Sequence, residues 1–236
     1  MASEQLPIPE ILTEARLHRA VEELASGDVD LAAVHAALGP PPLWDRPQGF
    51  ATLVYIILEQ QVSLASARAA YLRLEQAIHP ITPERFLALD DAQLKAIGFS
   101  RQKTAYGRIL AEAVAGGALD LDALGEMPDD EARAALVQIK GIGRWTADIY
   151  LMEALLRPDV WPAGDLALAI AVRRVKRLEK NPNPDELEAI GALYRPWRAA
   201  AARMFWHYYL SVPEKKNGAA TANTATAGKE KSDKTE

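Results

Sequence analysis

The sequence predicts an all-α protein. Two observations carry this prediction: long stretches without glycine or proline have apolar residues at helical spacing, and the β-branched alternation typical of strands is almost absent. The chain is also rich in alanine and leucine, which favour helices. Its 236 residues correspond to one large or two small domains.

Helices in the first half of the chain are predicted from apolar periodicity and capping residues. The prolines at 40–42 form a stiff connection after the second helix and suggest a domain crossing. Ser63 is placed to cap a restart after a break near Val62, and Thr82 followed by Pro83 indicates the start of a short helix. The predicted helices cover residues 12–25, 31–38, 50–77, a short segment from 82, 90–97 and 101–115.

The second half continues the helical pattern and then loses it. Predicted helices cover residues 129–139, 146–156, 166–177, 185–193 and 196–212. Residues 213–236 are polar and of low complexity, so they cannot bury a core and we expect them to be disordered.

Composition excludes several classes of protein. The absence of cysteine excludes a disulfide framework, thiol catalysis, a cysteine-ligated zinc site and an iron–sulfur cluster. No apolar run reaches transmembrane length and the first residues lack a signal pattern, so we expect a cytoplasmic protein without a membrane partner. The net charge of −5 argues against a surface that binds nucleic acid everywhere, but basic residues concentrate at 95–108, 173–180 and 195–203. Because such binding depends on local phosphate neutralisation, nucleic acid remains open as a partner.

The stretch "LVQIKGIGRWTADIYLM", residues 136–152, joins two helical patterns through Gly141 and Gly143. Glycine lets backbone N–H groups approach a ligand, and the next helix directs its first amides and its dipole at the turn. Lys140 and Arg144 add positive charge on either side, and Ile142 can plug into the two helices. These features predict an anion site; the alternative is a plain helix–helix connection with a C-cap glycine.

Together with "DVWPAGDLALAIAVRRV", this stretch resembles the helix-hairpin-helix (HhH-GPD) DNA glycosylases, and among them the alkylbase type, 3-methyladenine DNA glycosylase II. Three further segments agree with that family: "YIILEQQVSLASARAAY", "IGFSRQKTAYGRIL" and "YRPWRAAAARMFWHYYL". The resemblance covers most of the chain, from Phe50 to Leu210.

The resemblance implies that the hairpin binds a DNA phosphate beside the lesion, with Thr146 capping the following helix. The phosphate-binding positions are Lys140, Gly141, Ile142, Gly143, Arg144 and Thr146. It also implies a monovalent or divalent cation held by the main-chain carbonyls of Val137, Ile139 and Ile142, with no other cofactor required.

Two residues are implied to decide the reaction. Family members that also cut the DNA backbone carry a Schiff-base lysine at the position of Trp145, so tryptophan there implies a monofunctional enzyme that uses water. An indole face also attracts a cationic alkylated base. Asp165 is the implied catalytic carboxylate, although an aspartate before an apolar helix is by itself more often an N-cap; the two roles are compatible. Glu59 and Asp148 are weaker candidates for an auxiliary role, and we expect Asp148 to be solvated on its helix.

A base inside a duplex must be flipped out before it can react, and a side chain must fill the gap. The resemblance places this wedge at Gln61, with Gln60 as its neighbour; the alternative is a polar break between two helices. Trp206 is implied to line the base pocket, whereas His207, Tyr208 and Tyr209 are expected to pack or to form the rim. At the two other pocket positions some relatives have aromatic residues, and here they are Ile149 and Leu166.

The implied architecture has two helical domains with the active-site cleft between them. Residues 49–160, including the hairpin at 137–146, form one domain; residues 1–48 pack with residues 161–212 to form the other. The implied function is excision of 3-methyladenine, 7-methylguanine and related bases from double-stranded DNA by a monomer associated with the nucleoid. The rivals are a non-catalytic hairpin module that binds damaged DNA and a glycosylase for oxidised or mismatched bases.

Overall fold

The computed structural model describes residues 11–212, and over this range the prediction of an all-α protein is confirmed. The expectation of a disordered tail at 213–236 lies outside the described residues. Within them there are twelve α-helices and no strands. One 3-10 turn, Ala123–Glu126, lies between the seventh and the eighth helix. The helices are α1 Glu14–Gly27, α2 Val29–Leu38, α3 Phe50–Glu59, α4 Leu64–Ala77, α5 Pro83–Leu87, α6 Asp91–Ile97, α7 Arg101–Ala115, α8 Asp129–Val137, α9 Arg144–Glu153, α10 Leu166–Lys176, α11 Pro184–Ala192 and α12 Arg198–Ser211.

Three predicted helix starts agree with the structure to within one residue. Ser63, Thr82 and Asp90 each accept a hydrogen bond from a backbone N–H in the first turn of the helix that follows. The helix ends beside the hairpin were predicted less well. Helix α8 stops at Val137 rather than 139, and α9 already begins at Arg144 rather than 146, so the connecting segment is 138–143.

Helices α3 to α9 form one group, and α3 and α7 lie at its centre. Helix α3 contacts α4, α7 and α9, α5 lies on α7, and α8 pairs with α9. The apolar residues of α3 are buried almost without exception, because this helix is enclosed on several sides.

Helices α1 and α2 lie far in sequence from α10 and α12 but pack against them. Asp28, the N-cap of α2, joins the two regions: its carboxylate accepts hydrogen bonds from the Lys176 ammonium and, at 3.1 Å, from the Tyr194 hydroxyl. Burial and the neighbouring carboxylates raise the pKa of Tyr194, so this hydroxyl remains a donor.

The segment at 43–46 lies between these two groups of helices. Arg203 of α12 is fully buried and donates at 2.7 Å both to the Leu43 carbonyl and to the Met152 carbonyl at the end of α9. The Arg46 N–H donates to the Glu153 carbonyl at 2.8 Å. Burial lowers the pKa of Arg203 to about 10, which leaves it a cation at neutral pH. These bonds fix the end of α9 against α12.

No helix in the described part of the chain is both long and apolar enough to cross a membrane.

Candidate functional site

Asp165 lies at the head of α10, where three donors hold its carboxylate. Oδ1 accepts from the Leu168 N–H at 2.6 Å and from the Trp206 indole N–H at 3.1 Å. Oδ2 accepts from the Trp145 indole N–H at 2.9 Å. The N-cap interpretation is therefore correct, and the same carboxylate also connects α9, α10 and α12. A carboxylate with this many donors is fixed in one orientation.

The four predicted pocket residues differ in their placement. Trp145 and Trp206 are both half-buried and both bonded to Asp165. Ile149 is buried one turn after Trp145, and Leu166 is 68% exposed beside Asp165. The structure thus brings the two tryptophans and the aspartate together, and leaves Leu166 open to solvent.

The two hairpin glycines are present for different reasons. Gly141 has φ of +103°, and a Cβ built on it would lie 2.3 Å from the ring of Tyr106. Gly143 has φ of −88°, is the N-cap of α9, and would have no atom within 4 Å of an added Cβ. Gly141 is thus required by the turn and by Tyr106. Gly143 leaves open space in front of the first amides of α9. Ile142 between them is buried, as its role as a plug requires.

Thr146 does not cap α9, contrary to the prediction, because the helix begins two residues earlier and its N-cap is Gly143. The Thr146 side chain is instead buried and accepts at 3.0 Å from the Gln60 amide. The same amide nitrogen donates to the Gly141 carbonyl at 2.9 Å. Gln60 therefore ties the turn after α3 to the hairpin.

Gln61 follows Gln60 in the turn between α3 and α4. Its side chain is exposed and its backbone has φ of +56°, in the left-handed region that a non-glycine residue seldom adopts. Val62 and Leu64 beside it are also exposed, at 44% and 61%. The turn between α3 and α4 thus presents Gln61 between apolar neighbours.

Asp148 is not solvated, contrary to the prediction. It is 1% exposed and accepts at 2.6 Å from the Arg133 guanidinium of α8. Burial raises its pKa, and the hydrogen bond from Arg133 opposes that rise. Arg144 lies 3.6 Å from Asp148 and donates to Glu188 at 3.0 Å. The hydrogen bond from Arg133 therefore gives Asp148 a structural role in joining α8 to α9. Lys140, which was predicted with Arg144 to bind phosphate, is exposed.

The carbonyls implied to hold a cation have suitable chemistry. Val137 closes α8, where the last carbonyls have no helical donor, and the Ile139 carbonyl accepts one hydrogen bond from the Ile142 N–H at 2.9 Å. Main-chain oxygens are ligands for hard cations. In residues 11–212, no group of three or more histidine, aspartate or glutamate side chains is arranged to hold a metal ion.

A buried ion cluster that the sequence did not indicate lies at the other end of α9. Arg46 forms two hydrogen bonds with Glu59, at 2.8 and 3.1 Å, and its Nε lies 2.6 Å from a carboxylate oxygen of Glu153. Glu153 follows Trp145 and Ile149 at intervals of four, so one helix face carries all three. The spacing of four residues was the only sign of this cluster in the sequence, because Arg46 follows a proline-rich loop and belongs to no motif.

A cavity of about 490 Å³ opens beside this cluster. Arg46 and Glu59 form part of its wall, together with Tyr55, Leu64 and Arg68. The Arg46 guanidinium lies 4.6 Å from the Tyr55 ring centroid. Asp165 and the two tryptophans do not line this cavity, so the residues that the sequence implied for the site lie apart from it.

Known proteins share this fold and its sequence pattern. The model of the HhH-GPD superfamily base excision DNA repair proteins matches residues 54–196. DNA-3-methyladenine glycosylase 1 of Schizosaccharomyces pombe is 31% identical over 69% of this chain and 73% of its own length. A putative DNA-3-methyladenine glycosylase of Bacillus subtilis, YfjP, is 30% identical over 64% of this chain, which spans 55% of that protein.

Solved structures agree with these relatives. The 3-methyladenine DNA glycosylase of Schizosaccharomyces pombe in complex with abasic DNA superposes with a TM-score of 0.74 at 28% identity, over 80% of this chain and 95% of that one. A DNA-3-methyladenine glycosidase from Bacillus halodurans gives 0.68 at 29% identity, over 81% and 89%. The matched region contains the hairpin, both glycines, Trp145 and Asp165. The chain therefore belongs to the HhH-GPD superfamily of base excision DNA repair proteins.

Proposed function

We propose that this protein is a monofunctional DNA-3-methyladenine glycosylase of type II, which hydrolyses the N-glycosidic bond of alkylated purines and leaves an abasic site. The observation that carries the proposal is the Asp165 carboxylate between the indole N–H groups of Trp145 and Trp206. The relatives named for the same activity support it.

Asp165 would act on the sugar. As the bond to the base breaks, positive charge develops on the deoxyribose, and a fixed carboxylate stabilises it without reorganising. A carboxylate has about four acceptor sites. Three are used by Leu168, Trp145 and Trp206, so about one remains to orient the attacking water.

The two tryptophans would act on the base. An alkylated purine such as 3-methyladenine carries a positive charge, which an indole face attracts when solvent is excluded. A cationic base is also a good leaving group, so no second carboxylate is needed as a general acid. With tryptophan at 145, no amine is available there for a Schiff base, and water completes the reaction.

The hairpin would hold the duplex. The amides at the start of α9, beyond the open face of Gly143, can donate to a phosphate, with Lys140 and Arg144 near it. Arg144 would exchange its partner Glu188 for the phosphate. The main-chain carbonyls of Val137, Ile139 and Ile142 would hold a cation, which would add positive charge beside the phosphate-binding amides. Gln61 would fill the space left by the flipped base.

The test is Asp165→Asn. Asparagine is as good an N-cap as aspartate, so α10 and the fold should be retained while the negative charge is lost. We expect release of 3-methyladenine from methylated duplex DNA to fall by about 100-fold or more. The matched control is Asp90→Asn, which changes the N-cap of α6 in the same way and should leave release unchanged.

Two outcomes would overturn the proposal. One is release by Asp165→Asn at the wild-type rate. The other is a wild-type protein that binds methylated duplex but produces no alkali-labile abasic sites, which would indicate a non-catalytic binding module.

A further inference from the structure

The turn between α3 and α4 has a strained backbone at Gln61. Its φ of +56° lies in the left-handed region, which is unfavourable for a residue other than glycine. Such a conformation persists only where surrounding contacts fix it. Val62 and Leu64, which follow, are largely exposed. The hydrogen bonds that fix this turn to other helices come instead from side chains around the end of α3.

Two side chains tie the end of α3 to its neighbours. Gln60 Nε2 donates to the Gly141 carbonyl at 2.9 Å and to the Thr146 hydroxyl at 3.0 Å, so both N–H groups of the amide are in use. Lys103 of α7 donates at 2.7 Å to the Leu58 carbonyl, one of the last carbonyls of α3, which lack a helical donor. The turn is therefore fixed both to the hairpin and to α7.

The hairpin is also held by α7. Gly141 lies against the ring of Tyr106, where an added Cβ would approach to 2.3 Å. The Tyr106 hydroxyl in turn accepts from the Gln102 amide at 2.6 Å. Helix α7 thus supports both the hairpin and the turn, and the Gln60 amide joins the two directly.

This link sets the distance between two contacts with DNA. In the proposed function the hairpin binds a phosphate beside the lesion, and Gln61 fills the gap left by the flipped base. Neighbouring nucleotides of one strand are roughly 3.4 Å apart along the duplex axis. A shift of the turn by that distance relative to the hairpin would direct Gln61 at an intact base pair instead of the gap.

We propose that Gln60 is a positioning residue, which keeps the Gln61 wedge in register with the phosphate bound by the hairpin. The proposal rests on the proposed glycosylase function and deepens it. Gln60 acts through Gln61 and contacts neither the base nor the sugar. Without its amide, the backbone at Gln61 is free to leave the left-handed region, and the wedge no longer meets the gap.

The test measures binding to two duplexes of one sequence by fluorescence anisotropy. One duplex is intact and the other contains an abasic site, which offers a gap without a base to flip. The preference is the Kd for the intact duplex divided by the Kd for the abasic one. Gln60→Met keeps the length of the side chain and removes both donors. We expect the preference to fall about tenfold, as for Gln61→Ala. A loosened hairpin alone would weaken both complexes alike and leave the preference unchanged.

Three further variants separate positioning from stability. Because Gln60 acts through Gln61, adding Gln60→Met to Gln61→Ala should lower the preference no further. Thr146→Val removes one of the two acceptors and should lower the preference by a smaller factor. Thr52→Val is the matched control, since it removes another neutral donor, to the Pro47 carbonyl, at the start of α3. It should lower the free energy of unfolding and leave the preference unchanged.

The inference is overturned if Gln60→Met keeps the wild-type preference, if the double variant loses the product of the two single losses, or if the wild type itself has no preference. Its failure is distinct from failure of the proposed function, because binding is measured without excision. A wild type that prefers the abasic duplex but releases no base would refute the glycosylase and leave the role of Gln60 standing.

Discussion

Alanine at Gly141 and alanine at Gly143 should have opposite consequences, although the two glycines are separated by one residue. At Gly141 the added Cβ meets the Tyr106 ring at 2.3 Å, on a backbone with φ of +103°. At Gly143 it meets nothing within 4 Å, on a backbone with φ of −88°. The first substitution should damage the fold, and the second should affect only what approaches the hairpin from outside.

The magnitude follows from two separate costs. Holding alanine at this positive φ costs about 1–3 kcal/mol. Forcing a methyl group into the space of the Tyr106 ring costs about 1–3 kcal/mol more. Tyr106 is only half-buried and can move, so we expect a total loss of about 2–4 kcal/mol, or roughly 10 °C in Tm. Gly143→Ala replaces an acceptable N-cap by a poorer one and should cost less than about 1 kcal/mol.

The assays are urea unfolding followed by circular dichroism, and fluorescence anisotropy with a duplex that contains an abasic site. Gly141→Ala should lose stability. Gly143→Ala should stay folded but bind DNA several-fold more weakly, because its methyl group occupies the open face before the first amides of α9. Equal stability losses for the two variants would refute the conformational argument. Undiminished affinity of Gly143→Ala would refute the assignment of that face to phosphate.

Two further predictions concern neighbouring sites. Gln60→Ala removes the donor shared by the Gly141 carbonyl and the Thr146 hydroxyl, so the free energy of unfolding should fall by about 1–3 kcal/mol. Gln61→Ala should change the free energy of unfolding by under about 0.5 kcal/mol but lower the rate of base excision. Equal stability losses for the two variants would contradict this. Glu153 binds a proton in the folded protein between its ordinary pKa of 4.5 and about 7, so wild-type stability should fall with rising pH across that window, by about 3 kcal/mol relative to Glu153→Gln. Parallel pH profiles from urea unfolding would exclude that linkage.

Local signals in the sequence were sufficient for most of the helices. Periodicity and capping residues act within a few positions along the chain, and Ser63 and Thr82 cap the helices that they were predicted to cap. The ends of α8 and α9 were less predictable because no capping side chain marks them; Gly143 caps α9 through its backbone alone.

Burial was the main quantity that local reasoning misjudged. Asp148 is a charged residue of the kind usually exposed on a helix, yet Arg133 of the preceding helix covers its carboxylate. The resemblance implied that Thr146 caps the following helix, but its hydroxyl accepts a hydrogen bond from Gln60, in the turn after α3. In both cases the partner is distant in sequence, so periodicity could not reveal it.

The sequence alone determined the all-α class, the helix-hairpin-helix and the candidate pair of Trp145 and Asp165, because each depends on residues within one short segment or one motif. Only the tertiary structure decided that Trp206 shares the Asp165 carboxylate with Trp145, that Tyr106 makes Gly141 indispensable, and that Arg46 joins Glu59 to Glu153. These contacts join side chains from separate helices. Their geometry is set by how the helices pack, and packing is a property of the whole chain.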